Sequence, residues 1–121
     1  MSRAARRAAL KKGRRGEWLA LVFLILKGWR ICARNYSAQG GEIDLIAWRG
    51  SVIAFVEVKA RRDFASAETA IDGFKLTRIA RAADHWLNRH PWAMTRTLRV
   101  DAIDIVPWRW PRHRTDIAPL G

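Results

Sequence analysis

The sequence predicts a single domain of the α/β class with the element order α-β-β-β-α-β. Two stretches with helical spacing of apolar residues flank three strand-like runs, and a fourth run follows the second helix. The chain has 121 residues, of which 50% are hydrophobic. This length suits one domain, and this apolar content is enough for a buried core, so a chain that is disordered throughout is excluded.

The first half contains one helix and three strands. The first helix is expected from Gly16 to Lys27, where Gly28 is a C-terminal stop signal. A short strand should follow at residues 29–35, and the polar segment at residues 37–41 should be a loop. Runs rich in Ile, Val and Phe at residues 42–48 and 52–59, separated by Arg-Gly-Ser, then predict a β-hairpin.

The second half contains one helix and one strand. After a polar stretch, apolar residues at helical spacing predict a helix at residues 74–89, which Pro91 ends. The last strand is expected from Leu98 to Val106. The predicted organisation is therefore a flexible basic arm at residues 1–15, a folded domain at residues 16–106 and a tail rich in Trp, Pro and Arg at residues 107–121.

The charge of the chain predicts a polyanionic partner. There are 23 Lys and Arg against 11 Asp and Glu, which gives a net charge of +12. Seven of the basic residues precede the first acid, and Arg14 and Arg15 end that basic arm. Nucleic acid is the first expectation, with Arg14 and Arg15 among its contacts, and an anionic membrane surface is the second.

Cysteine content and hydropathy predict a cytoplasmic protein. A lone Cys32 excludes an intrachain disulfide and a Cys-rich zinc site, and it is typical of a reducing compartment. Residues 18–26 are apolar and follow a basic stretch, as in an export signal. The run is too short to span a bilayer and no small-residue cleavage site follows it, so we expect neither export nor membrane insertion.

Acidic residues inside the predicted hairpin are the most informative feature. If Gly50-Ser51 forms the turn, Asp44 lies directly opposite Glu57. If Arg49-Gly50 forms it, the two carboxylates are diagonal neighbours on the same side, and only a three-residue loop separates them.

Two neighbouring carboxylates repel each other unless a cation lies between them. Hard divalent ions such as Mg²⁺ or Mn²⁺ bind carboxylate and carbonyl oxygens. Lys59 follows Glu57 on the same face of the strand, where it could orient or activate a water molecule that attacks a phosphate. The hairpin therefore predicts a metal site with catalytic potential.

These residues resemble a known nuclease motif. Asp44, followed after twelve residues by Glu57-Val58-Lys59, resembles the PD-(D/E)xK motif, with Ile43 in place of its usual Pro. The flanking strings GGEIDLIA and FVEVKAR more specifically resemble the YraN-like family of small bacterial proteins, which are similar to archaeal Holliday-junction resolvases. The resemblance extends from Gly16 to Asp101.

The resemblance implies a restriction-endonuclease-like core, with a mixed sheet flanked by helices, and a metal-dependent endonuclease that acts on DNA. It implies Glu17 as a metal ligand beside Asp44 and Glu57, with the Val58 carbonyl completing the coordination and Lys59 assisting catalysis. It also implies a branched DNA substrate and a symmetric homodimer, because resolving a junction requires two matched cuts.

Several basic and aromatic residues near the motif have two interpretations each. Arg61 and Arg62 are phosphate clamps or a generic basic loop, and Lys75 reaches the phosphate or lies on a solvated helix face. Trp108 and Trp110 could stack on unpaired bases or serve packing.

The remaining ionisable residues are expected to be structural. Asp101 is predicted to act through hydrogen bonds in the last strand, and the three His lack ligand-like spacing and are expected on the surface. The main alternative function is a non-catalytic nucleic-acid-binding module with a relic metal site. A third is a membrane-surface protein that uses the arm and the first helix.

Overall fold

The computed structural model describes residues 2–67 and 72–120, with the backbone alone described for residues 4–15. It contains helices α1 (Arg3–Leu26), α2 (Phe64–Ala67) and α3 (Gly73–Arg89) and a 3₁₀ turn (Pro91–Thr95). The strands are β1 (Arg30–Ala38), β2 (Gly41–Arg49), β3 (Val52–Ala60), β4 (Thr97–Ile105) and β5 (Arg112–Ala118). The predicted α/β class is confirmed, and the structure adds α2 and β5.

One five-stranded mixed sheet organises the domain, with the strands side by side in chain order. Three pairs are antiparallel and β3 pairs with β4 in parallel. A parallel pair needs a crossover connection, and α3 provides it. The predicted mixed sheet flanked by helices is confirmed.

Alternation along β3 divides the core into two apolar clusters. Ile53 and Phe55 belong to the cluster that contains Trp86 of α3, whereas Ala54 and Val56 belong to the cluster that contains Leu24 of α1. Successive side chains of a strand point to opposite faces of the sheet, so α3 and α1 cover opposite faces. This explains why β3 is an almost continuous apolar run: it is buried on both sides.

Helix α1 begins at Arg3, so the predicted start at Gly16 is wrong. The added segment is rich in Ala, Arg, Lys and Leu, which are the strongest helix formers. Gly13 inside it costs only about 1 kcal/mol relative to Ala, which a long helix tolerates.

No helix in the described part of the chain combines the length and apolar character needed to cross a bilayer.

The C-terminal segment forms strand β5, where the sequence predicted only a tail. Asp101 and Asp104 of β4 are fully buried, and a buried carboxylate is costly unless it is paired and hydrogen-bonded. Strand β5 supplies the donors for Asp104, whose carboxylate accepts hydrogen bonds of 2.7–3.0 Å from the guanidinium groups of Arg112 and Arg114. Edge strand β5 is therefore fixed by charge rather than by an apolar pattern.

Asp101 has the structural hydrogen-bonding role predicted for it. Its carboxylate accepts two hydrogen bonds from Arg99, one from His113 Nε2 at 2.8 Å and one from the Asp116 N–H at 2.9 Å. Burial alone would raise the pKa of Asp101, but these hydrogen bonds outweigh it and hold the pKa below its ordinary value. The surface position predicted for His113 is wrong, because only 5% of its side chain is exposed.

Removal of residues 107–121 is expected to unfold the domain. The shortened chain leaves Asp104 buried without its two arginines, and breaking one buried ion pair costs about 3–5 kcal/mol, a large part of a typical stability of about 5–15 kcal/mol. Thermal unfolding followed by circular dichroism tests this, with Trp110→Ala in the full chain as the control for an exposed residue. A shortened chain that unfolds cooperatively within about 5 °C of the full chain would contradict the role of β5.

Candidate active site

The β2–β3 hairpin closes through the Gly50-Ser51 turn, the first of the two turns considered above. Arg49 pairs with Val52, and the register continues to Leu45 opposite Val56. The observed pairs end there, one residue before Asp44 and Glu57, and both of these carboxylates line the same cavity. The structure thus selects one of the two turns that the sequence left open.

Strands β2 and β3 separate immediately beyond this register. Asp44 Oδ2 accepts a hydrogen bond of 2.8 Å from the Val58 N–H. A side-chain carboxylate thus takes the place of a main-chain acceptor, and the Val58 donor is satisfied although the ladder ends. On the other side of β2, the pairing of the neighbouring residues places Asn35 of β1 across from Asp44. Asn35 has a left-handed φ of +49°. The backbone is therefore irregular on both sides of Asp44.

A cavity of about 600 Å³ opens where the strands separate. Side chains from α1, β2, β3 and α3 line it, so both helical layers contribute to one space. Among the described residues its acids are Glu17, Glu42, Asp44, Glu57 and Asp72, and its bases are Arg61, Lys75 and Arg78. Acids outnumber bases in this described lining although the chain carries a net charge of +12, so the cavity is locally acidic.

Asp44 is perturbed by this environment. Burial raises the pKa of Asp44 to about 6, the Val58 hydrogen bond opposes the rise, and the charges of Glu57 and Glu17 add to it. The positive charge of Lys75 also opposes the rise in the pKa of Asp44, but it does not outweigh the effect of burial. At neutral pH the ionised carboxylate is therefore held at a free-energy cost that a nearby cation would reduce.

Glu57 is buried, with 4% of its surface exposed, and its Oε1 forms an ion pair with Lys75 Nζ. Half of the Lys75 side chain is exposed, so the ammonium group reaches into the cavity from its rim. Asp72 caps α3 and accepts a hydrogen bond of 2.8 Å from the Lys75 N–H. Of the two interpretations of Lys75, the structure supports a contact with the site.

Helix α3 is held close to β2 by Gly41. A Cβ atom at this position would lie 2.0 Å from the Arg78 carbonyl oxygen, which is impossible without moving the helix. The absence of a side chain at Gly41 thus sets how closely Lys75 and Arg78 of α3 approach Asp44, which lies on the same strand as Gly41.

Lys59 lies two residues beyond Glu57 on the same face of β3, but within the described structure it does not line the cavity. It is 5% exposed, and its Nζ donates a hydrogen bond of 3.4 Å to the Ala67 carbonyl of α2. Burial lowers the pKa of Lys59, and the charge of Arg114 lowers it further, while Glu57 and Asp104 oppose the shift.

The predicted arginines divide into three groups. Arg61 lines the cavity, whereas Arg62 is exposed and is not part of its described lining. The side chains of Arg14 and Arg15 lie in residues 4–15 and are outside the part of the chain for which side chains are described.

The cavity offers the kind of donors that Mg²⁺ and Mn²⁺ prefer: the carboxylates of Glu17, Asp44 and Glu57 and the backbone carbonyl of Val58. Across residues 2–67 and 72–120, no three acidic, histidine or cysteine side chains are grouped as an assembled metal site. In this arrangement Glu57 forms an ion pair with Lys75, and Asp44 accepts a hydrogen bond from the Val58 N–H. The donors therefore fit a hard cation in chemistry, and Lys75 competes for one of them.

Among the charged residues of the described cavity lining, sequence reasoning missed Asp72 and Arg78. Asp72 stands directly before Gly73 and the apolar periodicity of α3, which is an N-cap signal that could have been used. Arg78 carries no such signal, because its place at the cavity depends on the packing of α3 against Gly41.

A model of the uncharacterised protein family UPF0102 matches residues 16–105. A UPF0102 protein of Methylorubrum extorquens is 56% identical over 110 residues, which cover 91% of this chain and 86% of the relative. One from Mesorhizobium japonicum is 49% identical over 91% of this chain and 88% of its own length. One from Chelativorans is 47% identical over 96% and 94%.

The substitution Asp44→Asn is expected to stabilise the protein at pH 8. A carboxyl whose folded pKa lies above its ordinary value favours folding when protonated, so its ionisation between about pH 4 and 6 lowers stability. Asparagine keeps an acceptor for Val58 and has no charge, and the expected gain is about 2 kcal/mol. Urea unfolding of both proteins at pH 8 and pH 4 measures it.

The gain should disappear at pH 4, where Asp44 is protonated. Glu42→Gln is the matched control, because Glu42 lines the same cavity but is exposed. If Asp44→Asn were the less stable protein at pH 8, the electrostatic cost assigned to Asp44 would be wrong.

Proposed function

The chain belongs to the uncharacterised protein family UPF0102, and from this premise we propose that it is a metal-dependent endonuclease that hydrolyses phosphodiester bonds in DNA. The observation that carries the proposal is the acidic cavity, which three carboxylates of the predicted motif line together: Glu17, Asp44 and Glu57. They come from α1, β2 and β3, so their meeting in one cavity is a property of the fold. The two-sided α/β architecture supports the finer assignment to the restriction-endonuclease-like, PD-(D/E)xK type.

In the proposed site, Glu17, Asp44, Glu57 and the Val58 carbonyl hold Mg²⁺ or Mn²⁺, which when bound supplies Lewis-acid stabilisation of charge on the phosphate. The Val58 N–H orients the Asp44 carboxylate. Lys75 neutralises charge on the entering phosphate, because its half-exposed ammonium group already lies at the cavity. Lys59 has the motif position for orienting the attacking water, a role that requires its ammonium group to turn from the Ala67 carbonyl toward the cavity.

The proposed partner is DNA, supported by the net charge of +12 of the whole chain. Arg61 borders the cavity, and Arg62, Arg14 and Arg15 are the further phosphate contacts that we propose. A branched substrate, a homodimer and a cytoplasmic location complete the proposal, the last of them supported by the lone Cys32.

The ion pair between Glu57 and Lys75 favours one alternative, a nucleic-acid-binding module with a relic metal site. In that module Lys75 would be the permanent counter-charge of Glu57, and the cavity would bind phosphate groups without cutting them. The two functions differ in whether a divalent ion can displace the lysine.

Cleavage of branched, single-stranded and duplex DNA with Mg²⁺ or Mn²⁺ tests the proposal directly. The wild type is expected to cut at least one of these substrates, and Asp44→Ala to lower the rate at least about 100-fold, because even an outer-shell partner of a metal is worth about 10- to 100-fold. Glu42→Gln is expected to retain activity. Binding without metal-dependent cutting would support the alternative, and cutting that Asp44→Ala leaves intact would move the active site elsewhere.

The substitution Lys75→Met is expected to tighten Mn²⁺ binding. It removes the cation that occupies Glu57 while keeping most of the aliphatic side chain, so a divalent ion no longer competes with an ammonium group. Calorimetric titration of Mn²⁺ into wild type and variant measures the change, and Arg81→Met on the exposed face of α3 is the control. Equal affinities would show that Lys75 does not compete at the site.

A further inference from the structure

A second cavity of about 390 Å³ adjoins the acidic one. Its lining includes Leu19 of α1, Ala60 and Arg61 at the end of β3, and Pro107, Trp108 and Arg109 of the β4–β5 connection. Ala60 and Arg61 line both cavities. The two cavities are therefore adjacent and share part of their lining.

Few residues separate the two cavities. Gly16 lines the second cavity and the next residue, Glu17, lines the acidic one. A Cβ atom at Gly16 would lie 3.2 Å from the Ala60 Cβ, so α1 and β3 are already in close contact there. The two cavities therefore lie next to each other along the contact between α1 and β3.

Trp108 combines an exposed side chain with an uncommon backbone conformation. It is fully exposed, at 101%, although tryptophan ordinarily gains much from burial. Its φ of +62° is left-handed, a strained conformation for a bulky residue. Such strain persists where the surrounding structure enforces it, and it is concentrated at binding sites.

The segment around Trp108 is built to hold this conformation. Pro107 precedes it and Pro111 follows three residues later, and proline fixes its own φ. The Arg109 N–H also donates a hydrogen bond of 3.3 Å to the Val106 carbonyl. The backbone of Trp108 is therefore constrained by its neighbours, and its exposed indole ring is accessible to a ligand.

We propose that the cavity beside Trp108 is a subsite for an unpaired nucleobase of the DNA whose phosphate enters the acidic cavity. The inference rests on the proposed function and deepens it by naming the substrate class, DNA with unpaired nucleotides next to the reacting phosphate. An indole face stacks on any base, and paired bases inside a duplex do not offer their faces. Arg61 and Arg109 border the same cavity and provide charge for the phosphates on either side of the stacked base.

Fluorescence anisotropy with an end-labelled oligothymidylate and a blunt duplex tests the subsite, in EDTA so that no strand is cut. Trp108→Ala is expected to weaken binding of the oligothymidylate about tenfold and that of the duplex by less than about twofold, since one stacked base contributes on this scale. Trp108→Phe should retain most of the affinity. Trp110→Ala is the matched control, because Trp110 is 82% exposed and two residues away but is outside the described lining of the cavity.

The subsite is disproved if Trp108→Ala leaves oligothymidylate binding unchanged, weakens both substrates equally, or does no more than Trp110→Ala. These results leave the proposed function standing, because metal-dependent cutting and its loss in Asp44→Ala are measured separately. A selective Trp108 effect without any cutting would place the subsite in a binding module and overturn only the nuclease. Wild-type protein that binds neither substrate would overturn both.

Discussion

The hydrogen bond from the Val58 N–H to the Asp44 carboxylate is the interaction on which the candidate site depends. Two paired strands can separate inside a fold only if the main-chain donors they release find other acceptors. Asp44 provides that acceptor in place of a carbonyl group, at 2.8 Å. The strand opening, the position of Asp44 and its closeness to Glu57, the residue before Val58, are thus consequences of one contact. The carboxylate that we propose as a metal ligand therefore also has a structural role.

The charge distribution acts on two length scales. The excess of positive charge attracts a polyanion over distances up to about 10 Å, the screening length at ordinary ionic strength. The acids of the cavity act only at closer range, where burial strengthens their mutual repulsion. A phosphate drawn to the protein therefore meets local repulsion unless cations are placed among the carboxylates. Arg61, Lys75 and Arg78 are the basic side chains of the described lining that provide such charges.

The parts of this fold that local rules determine could be predicted from sequence, and the parts that depend on distant partners could not. The hairpin register follows from a two-residue turn and the alternation of side chains, and one of the two registers predicted from sequence is the one observed. Strand β5 has no apolar pattern, because Asp104, which it must neutralise, lies on another strand. Lys59 lies under α2 for a similar reason, since the Ala67 carbonyl that binds it belongs to a helix too short to show periodicity.

Strand β5 is the last of the five strands to be synthesised, yet it supplies the arginines for Asp104 and the histidine for Asp101. On the ribosome, a chain that ends at β4 would have to bury two carboxylates without these partners, or keep them hydrated and leave the sheet unfinished. Keeping the two carboxylates hydrated costs far less free energy than burying them without partners. Folding of this domain is therefore coupled to the synthesis of β5: the acidic cavity, built on strands made much earlier, becomes stable only after residues 112–116 have been added.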